Sequence, residues 1–263
     1  KERLKMFFKP IEWLIAFRYI RSKRQEGFIS IIAWFSLIGI SLGVATLIIV
    51  MSVMNGFRIE LVDRILGING HLGIYSSAQN RIVEYNNTVL KVSNINGVLA
   101  VVPQIEEQVM IISKKGSNGA IVRGVYWSDL AVRKPLWDSL KKDEIESFKN
   151  EKGILIGENM LIKHGLKIGN EISILSPKGQ NSALGIIPKR RNFRIVGTFK
   201  VGMHEYDTSY IFMPIKIAQE FFVYQNKVSG IEVYFKNPNQ TNYLKKIIKS
   251  KLGEKFLIYD WRE

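Results

Sequence analysis

The sequence has no cysteine among its 263 residues. That excludes a disulfide framework, a thiolate nucleophile and a thiolate metal site. Histidine is scarce, and His71, His164 and His204 fit neither H-E-x-x-H nor any other metal-ligand spacing. Glu205 and Asp207 follow His204 closely, but in an extended segment neighbours 204 and 205 point to opposite faces. GMHEYDTSY therefore reads as a polar turn ahead of the strand SYIFMPI. There is no G-x-x-x-x-G-K-[ST] phosphate loop, no G-x-G-x-x-G and no G-x-S-x-G. No catalytic group, metal or cofactor is expected, and an enzyme is the poorest reading. Acidic residues are also outnumbered, 23 against 38 basic, for a net charge of +15. Such an excess can serve nucleic acid. Here the densest basic cluster adjoins a long apolar run and is explained there, so no nucleic-acid partner is expected.

That run is the most conspicuous thing present. From Gly27 to Phe57, GFISIIAWFSLIGISLGVATLIIVMSVMNGF carries no charge. A spanning helix needs about 20 apolar residues; a signal peptide has an apolar region of only about 7–15 and a small-residue cleavage site. The run predicts a transmembrane helix over 28–57. On its N-terminal side stand Lys1, Arg3, Lys5, Lys9, Arg18, Arg21, Lys23 and Arg24; beyond it Arg58 and Arg64 are balanced by Glu60 and Asp63. The positive-inside rule puts the N-terminus in the cytoplasm and residues 58–263 on the other side of the membrane. Residues 1–27 are expected to hold an interfacial amphipathic helix, with Trp13, Leu14, Phe17 and Ile20 at helical spacing. Within the span Ser36, Gly39, Gly43 and Thr46 make a ridge of small residues suited to close helix packing. No second spanning run occurs in these 263 residues. GFRIELVDRILG keeps helical period, so a stalk is expected over 58–70, stopped by Gly67 and Gly70.

The external part shows one arrangement twice. HLGIY, a helical stretch at 79–93 and GVLAVVPQI read as strand, helix, strand; so do GIEVYF, NQTNYLKKIIKSKL and KFLIYD. The expected fold is a membrane-anchored α+β protein: one transmembrane helix, then two βαβ halves in a ferredoxin-like, porter-type layer. The halves are placed at 71–112 and 201–263, with a β-rich insertion over 113–200 built from VMIIS, GAIVRGV, GILIG, EISIL and FRIVGTF. From the insertion rises SPKGQNSALGIIPKRRNF, a connection far longer than the usual 2–5 residues of a hairpin. Its prolines, Pro177 and Pro188, cannot donate ladder hydrogen bonds, which predicts a protruding loop over 177–191 that leaves the sheet.

Several stretches resemble a known family. AFRYIRSKRQEGFIS followed by SLIGISLGVATLIIVMSVMNGF is similar to the first transmembrane helix of the lipoprotein-releasing ABC permeases, the LolC/LolE family. GILIGENMLIKHGLKIGNEISIL and IPKRRNFRIVGTFKVGMHEYDTSYIFM resemble that family's periplasmic region, and the first of these is shared with efflux and mechanotransmission permeases. The resemblance implies a transport subunit without catalysis of its own. It would work with a LolD-type ABC ATPase, a second permease subunit (the same or a related chain), membrane lipids and lipoprotein substrates. These lipoproteins pass to a periplasmic LolA-type carrier. It further implies that residues 177–188 are the carrier-docking hook. Pro177, Ala183, Leu184, Gly185, Ile186, Ile187 and Pro188 would form its apolar wedge, with Arg190 and Arg191 beside it. The core SALGIIP departs from the family motif, with Leu184 in place of Met and Ile186 in place of a cation. By the same analogy Val50, Val53, Met54 and Phe57, one continuous helix face, would line the entry for acyl chains, Met being adaptable. The family continues with further spanning helices, including the segment that engages the ATPase, whereas this sequence ends at YDWRE. The competing readings are an efflux or mechanotransmission permease of the same fold and a stand-alone membrane-anchored binding or sensor protein.

Overall fold

The computed structural model describes residues 10–20, 27–78, 81–182 and 185–262, and the chain divides into two compact units after Leu61. In the first unit, α1 (Pro10–Ile20) is followed by the start of α2 (Gly27–Ile68). α2 is one unbroken helix of 42 residues, roughly 60 Å at 1.5 Å per residue, about twice the hydrocarbon thickness of a bilayer. The apolar side chains from Ile31 to Phe57 are exposed, as expected of a helix whose solvent is lipid.

The second unit begins with the last turns of α2 and continues through β1 (Leu72–Ser76), α3 (Tyr85–Ser93) and β2 (Val98–Ser113). Near the C-terminus come β8 (Gly230–Phe235), α9 (Thr241–Leu252) and β9 (Phe256–Asp260). These four strands lie in the order β2-β8-β1-β9, every neighbouring pair antiparallel. Each βαβ half is thus split by a strand of the other, which is the ferredoxin-like arrangement. α3 and α9 bury Tyr85, Val92, Leu244 and Ile248 in the same apolar core as Ile74, Ile231, Val233 and Ile258. The helix expected at 79–93 starts only at Tyr85, because Glu84 adopts left-handed backbone angles before it.

β2 belongs to two sheets. Its first part, Val98 to Gln104, pairs with β8, and from Ile105 onward it pairs with β3 (Gly116–Val125). After a short 3-10 turn (Trp127–Val132) the insertion adds α4 (Lys134–Ser139), α5 (Lys142–Lys149), β4 (Ile154–Gly157), α6 (Glu158–His164), β5 (Glu171–Ser182) and β6 (Gly185–Phe199). α7 (His204–Ser209), β7 (Tyr210–Pro214) and α8 (Ile215–Phe221) follow. Strand neighbours run β2, β3, β7, β4, β6, β5 and return to β2, so the second sheet closes on itself. β7 pairs with β3 and β4, so the inserted sheet draws on residues past 200, and the second ferredoxin half takes its first strand at Gly230. Ile154, Ile156, Ile211 and Met213 share the main core, while the alternate residues Leu155 and Phe212 join Leu130, Leu136 and Phe148 in a second one. Strands covered on both faces read as continuous apolar runs, which is why ILIG and IFM show no alternation.

The long connection at 177–191 is largely a β-ribbon, not an unpaired loop. β5 and β6 pair from Glu171↔Arg194 to Ser176↔Lys189 and again from Gln180↔Ile187 to Ser182↔Gly185. Between these stretches residues 177–179 face Pro188 alone, so both prolines sit in the bulge where the register shifts. A proline removes one ladder bond, and a bulge accommodates that locally without ending the pairing. β2 pairs with β5 only at Ser173, Ile174 and Leu175; past Leu175 the ribbon has β6 as its partner.

Candidate functional site

The ribbon is seated on the body by cations at its base. Arg191 Nη1 donates to Glu220 Oε1 at 3.0 Å, and Lys189 Nζ donates to the Glu220 carbonyl at 3.2 Å, both at the end of α8. Lys189 lies over the Phe221 ring at 5.6 Å, and Arg190 Nε donates to Ser173 Oγ at 2.6 Å across the ladder. Arg190 and Arg191 thus engage groups of this chain, in exposed positions where one partner can be exchanged for another. Ala183 and Leu184 lie outside the described residues, and Gly185, Ile186 and Ile187 are placed by their backbone pairing at the ribbon's end. Pro177 and Pro188 flank its bulge.

Beside this base is a cleft of about 630 Å³, lined by Lys114, His164, Asn170, Ser173, Arg190 and Asn192 among others. Its buried His164 has Nδ1 2.8 Å from Ser113 Oγ. Burial, then Lys163 and Lys115, hold the imidazole below its ordinary pKa. Among the described residues no carboxylate bonds this ring, so the Ser–His pair lacks the orienting acid of a hydrolytic triad. His204 and Glu205 open the short helix α7, and Asp207 accepts from Val201 N and Gly202 N at 2.8 and 3.1 Å. Asp207 therefore holds its own turn, and no group of three or more His, Asp or Glu able to hold a metal occurs among the described residues. On α2, Val50, Val53, Met54 and Phe57 are exposed; Gly39 and Gly43 have open space where a Cβ would stand, and Thr46 Oγ1 donates to Leu42 O at 2.7 Å.

The most heavily bonded polar site among the described residues went unread in the sequence. It surrounds the C-terminal turn of α2. A helix ends with carbonyls that have no intrahelical donor, and Ile68 O receives Arg133 Nε at 3.0 Å and Tyr234 OH at 3.2 Å. Arg133, 0% exposed, also donates through Nη2 to Glu232 Oε2 at 2.7 Å and Gln104 Oε1 at 3.2 Å, and through Nη1 to Asp129 O. Gln104 Nε2 donates to Glu232 Oε1 at 3.1 Å. Arg123 lies 3.7 Å from Glu232, donates to Glu106 at 2.6 Å and to Asn69 Oδ1 at 2.9 Å, and Asn69 in turn donates to Tyr206 OH. Burial pushes the Glu232 carboxyl up, but Arg133 and Arg123 outweigh it and hold it below the usual range. Two glycines permit the close approach: a Cβ on Gly67 would lie 2.9 Å from Pro135 Cγ, and one on Gly70 2.8 Å from Glu232 Cβ. The available signal was a lone charge inside an apolar strand, Arg123 in GAIVRGV and Glu232 in GIEVYF. Burying such a charge requires a partner.

Comparison with known proteins now bears on the whole. Residues 33–251 match the family described as "MacB-like periplasmic core domain". The chain belongs to that family. This MacB-like chain is 29% identical over 229 residues to "Lipoprotein-releasing system transmembrane protein LolC" of Neisseria meningitidis serogroup B, covering 87% of this chain and 55% of that protein. It is 26% identical to the protein of the same system named LolE in Haemophilus influenzae, over 86% of this chain and 55% of the relative. These relatives bear out the resemblance to the LolC/LolE family, and the chain spans a little over half their length. Among solved structures it is similar to the periplasmic region of MacB from Actinobacillus actinomycetemcomitans, with 13% identity and a TM-score of 0.47, over 76% of this chain and 94% of that one.

Proposed function

We propose that this chain acts in the permease of an ABC complex that extracts lipoproteins from the inner membrane and hands them to a periplasmic carrier. The N-terminus lies in the cytoplasm, a LolD-type ATPase and a second permease subunit complete the complex, and residues 177–188 dock a LolA-type carrier. The observation that carries the reading is the β5–β6 ribbon, which continues to Ser182↔Gly185 after its pairing with β2 has stopped at Leu175. An apolar tip on such a ribbon suits a partner that itself binds acyl chains, and each aliphatic side chain buried there contributes about 1.5–3 kcal/mol. Arg190 and Arg191 at the base can add charge-assisted hydrogen bonds to the docked carrier. Val50, Val53, Met54 and Phe57 would line the path of the acyl chains.

Pull-down from solubilised membranes tests the proposal. Leu184→Asp is expected to abolish capture of the carrier while membrane insertion and co-purification of the ATPase persist. Undiminished capture would remove the hook assignment. The match to a MacB-like core domain favours a second reading, an efflux-type permease of the same fold. Deleting residues 177–188 separates the two, because only the lipoprotein-release reading expects that deletion to stop transfer.

A further inference from the structure

We propose that Arg133, Glu232 and Gln104, with Arg123 behind them, are positioning residues that lock the C-terminal turn of α2 to the ferredoxin-like sheet in a single register. The inference does not depend on the hairpin docking a carrier.

Three observations carry it. The first is that the cluster is costly by nature. Two buried cations and the Glu232 carboxylate must be desolvated, and well-packed apolar side chains of similar volume often give equal or greater stability. What an ionic cluster adds is geometric discrimination, since hydrogen bonds weaken steeply with angle and distance. A one-residue slip of a helix moves a carbonyl by about 1.5 Å along the axis and about 100° around it. Such a slip would part Ile68 O from both Arg133 Nε and Tyr234 OH, now at 3.0 and 3.2 Å.

The second observation is completeness. Glu232 Oε2 accepts from Arg133 and Tyr234, while Oε1 accepts from Gln104, and the Arg133 guanidinium donates from Nε, Nη1 and Nη2. The third is that the attachment recurs around the turn. Arg64 Nη1 donates to Gly202 O at 3.0 Å, Asn69 links Arg123 to Tyr206, and Gly67 lies against Pro135. These contacts come from β3, the α4 start, the segment before α7 and α7 itself, while Gln104 and Glu232 are diagonal neighbours on β2 and β8, where Val102 pairs with Glu232 and Gln104 with Gly230. Residues 64–70 are thus held from several directions within the second unit.

The test uses the full chain in lipid nanodiscs and compares amide exchange of residues 65–70 with that of β4–β7. In the apolar replacement Q104L/R133M/E232L the strands are expected to keep wild-type protection, while residues 65–70 exchange roughly tenfold faster or more. Unchanged protection at 65–70 would overturn the proposal, because apolar packing alone would then hold the register. Parallel loss in both regions would overturn it too, making the cluster a plain stability element. If the triple variant does not fold, Y234F, which takes a donor from Ile68 O and leaves every charge paired, is judged by the same comparison: loss confined to 65–70 supports the proposal, and unchanged protection, loss throughout or failure to fold overturns it.

Discussion

The base of the β5–β6 ribbon and the socket around the end of α2 are both built on arginine, and they use it in opposite ways. In the socket Arg133 and Arg123 have side chains 0% and 4% exposed and share a buried carboxylate. At the ribbon Arg191 is 43% exposed and meets Glu220, 70% exposed. The guanidinium fork is the same; its solvent differs. Withdrawn from water, each charge depends on its fixed acceptors, so the contact dictates geometry. In water, the same pair forms and breaks at little cost, which suits a surface that must release one partner for another. The socket is thus suited to permanent positioning and the ribbon base to exchangeable contact.

The most severe way to break this contrast is Glu232→Ala. It leaves Arg133 buried without its carboxylate, and a buried pair broken on one side costs about 3–5 kcal/mol. Chemical denaturation of the second unit, followed by the buried tyrosines, is expected to show a loss of that order. A loss below about 1 kcal/mol, the value of a surface pair, would mean that the two arginine sites are energetically alike.

Much of this architecture was legible in the sequence. The uncharged run marked the membrane helix, and the two strand–helix–strand periodicities marked the ferredoxin-like halves. Pro177 and Pro188 located the ribbon, though not its pairing, because a proline forbids one bond and the bulge that absorbs it depends on the opposite strand. The socket was not legible as a unit. Arg133 and Glu232 are 99 residues apart in sequence, and Arg133 stands in AVRKPLW, among residues that look like an ordinary polar turn. Only the sheet order brings β8 beneath the end of α2. The helices α4, α5 and α6 were missed for a related reason: each has eight residues or fewer, too short for an amphipathic period to stand out.

A milder prediction concerns pH. His71 is buried, stacked on Phe235 at 5.8 Å, and its Nδ1 accepts from Phe235 N at 2.8 Å, so the folded state requires the neutral ring. Burial lowers its pKa from the ordinary 6.5. A lowered histidine contributes stability that is complete above the unfolded value and is lost as pH falls through the folded one. The melting temperature is therefore expected to decline as pH drops below 6.5, with His164, shifted the same way, adding to the slope. His71→Gln, which can still accept from Phe235 N, is expected to shallow that decline. An unaltered slope would assign the effect elsewhere. Glu232 acts lower on the scale: its carboxyl is held below 4.5, so its contribution persists until pH falls through that depressed value.

The smallest expected effect lies at the ribbon's base. Arg191→Ala removes an exposed pair with Glu220, and exposed pairs contribute about 0–1 kcal/mol. Its effect on denaturation should be near the limit of detection and should shrink further in high salt, because screening acts on exposed charges first. A loss comparable to Glu232→Ala would place Arg191 among the fixed attachments and would undo the division between the two arginine sites. The double variant Arg191→Ala/Glu220→Ala sharpens the measurement. If the two changes add, the pair has no coupling energy, and Arg191 is held near α8 by the course of β6 and by the Phe193 ring, 5.3 Å away. If they do not add, the difference is the strength of the contact that an incoming partner must displace.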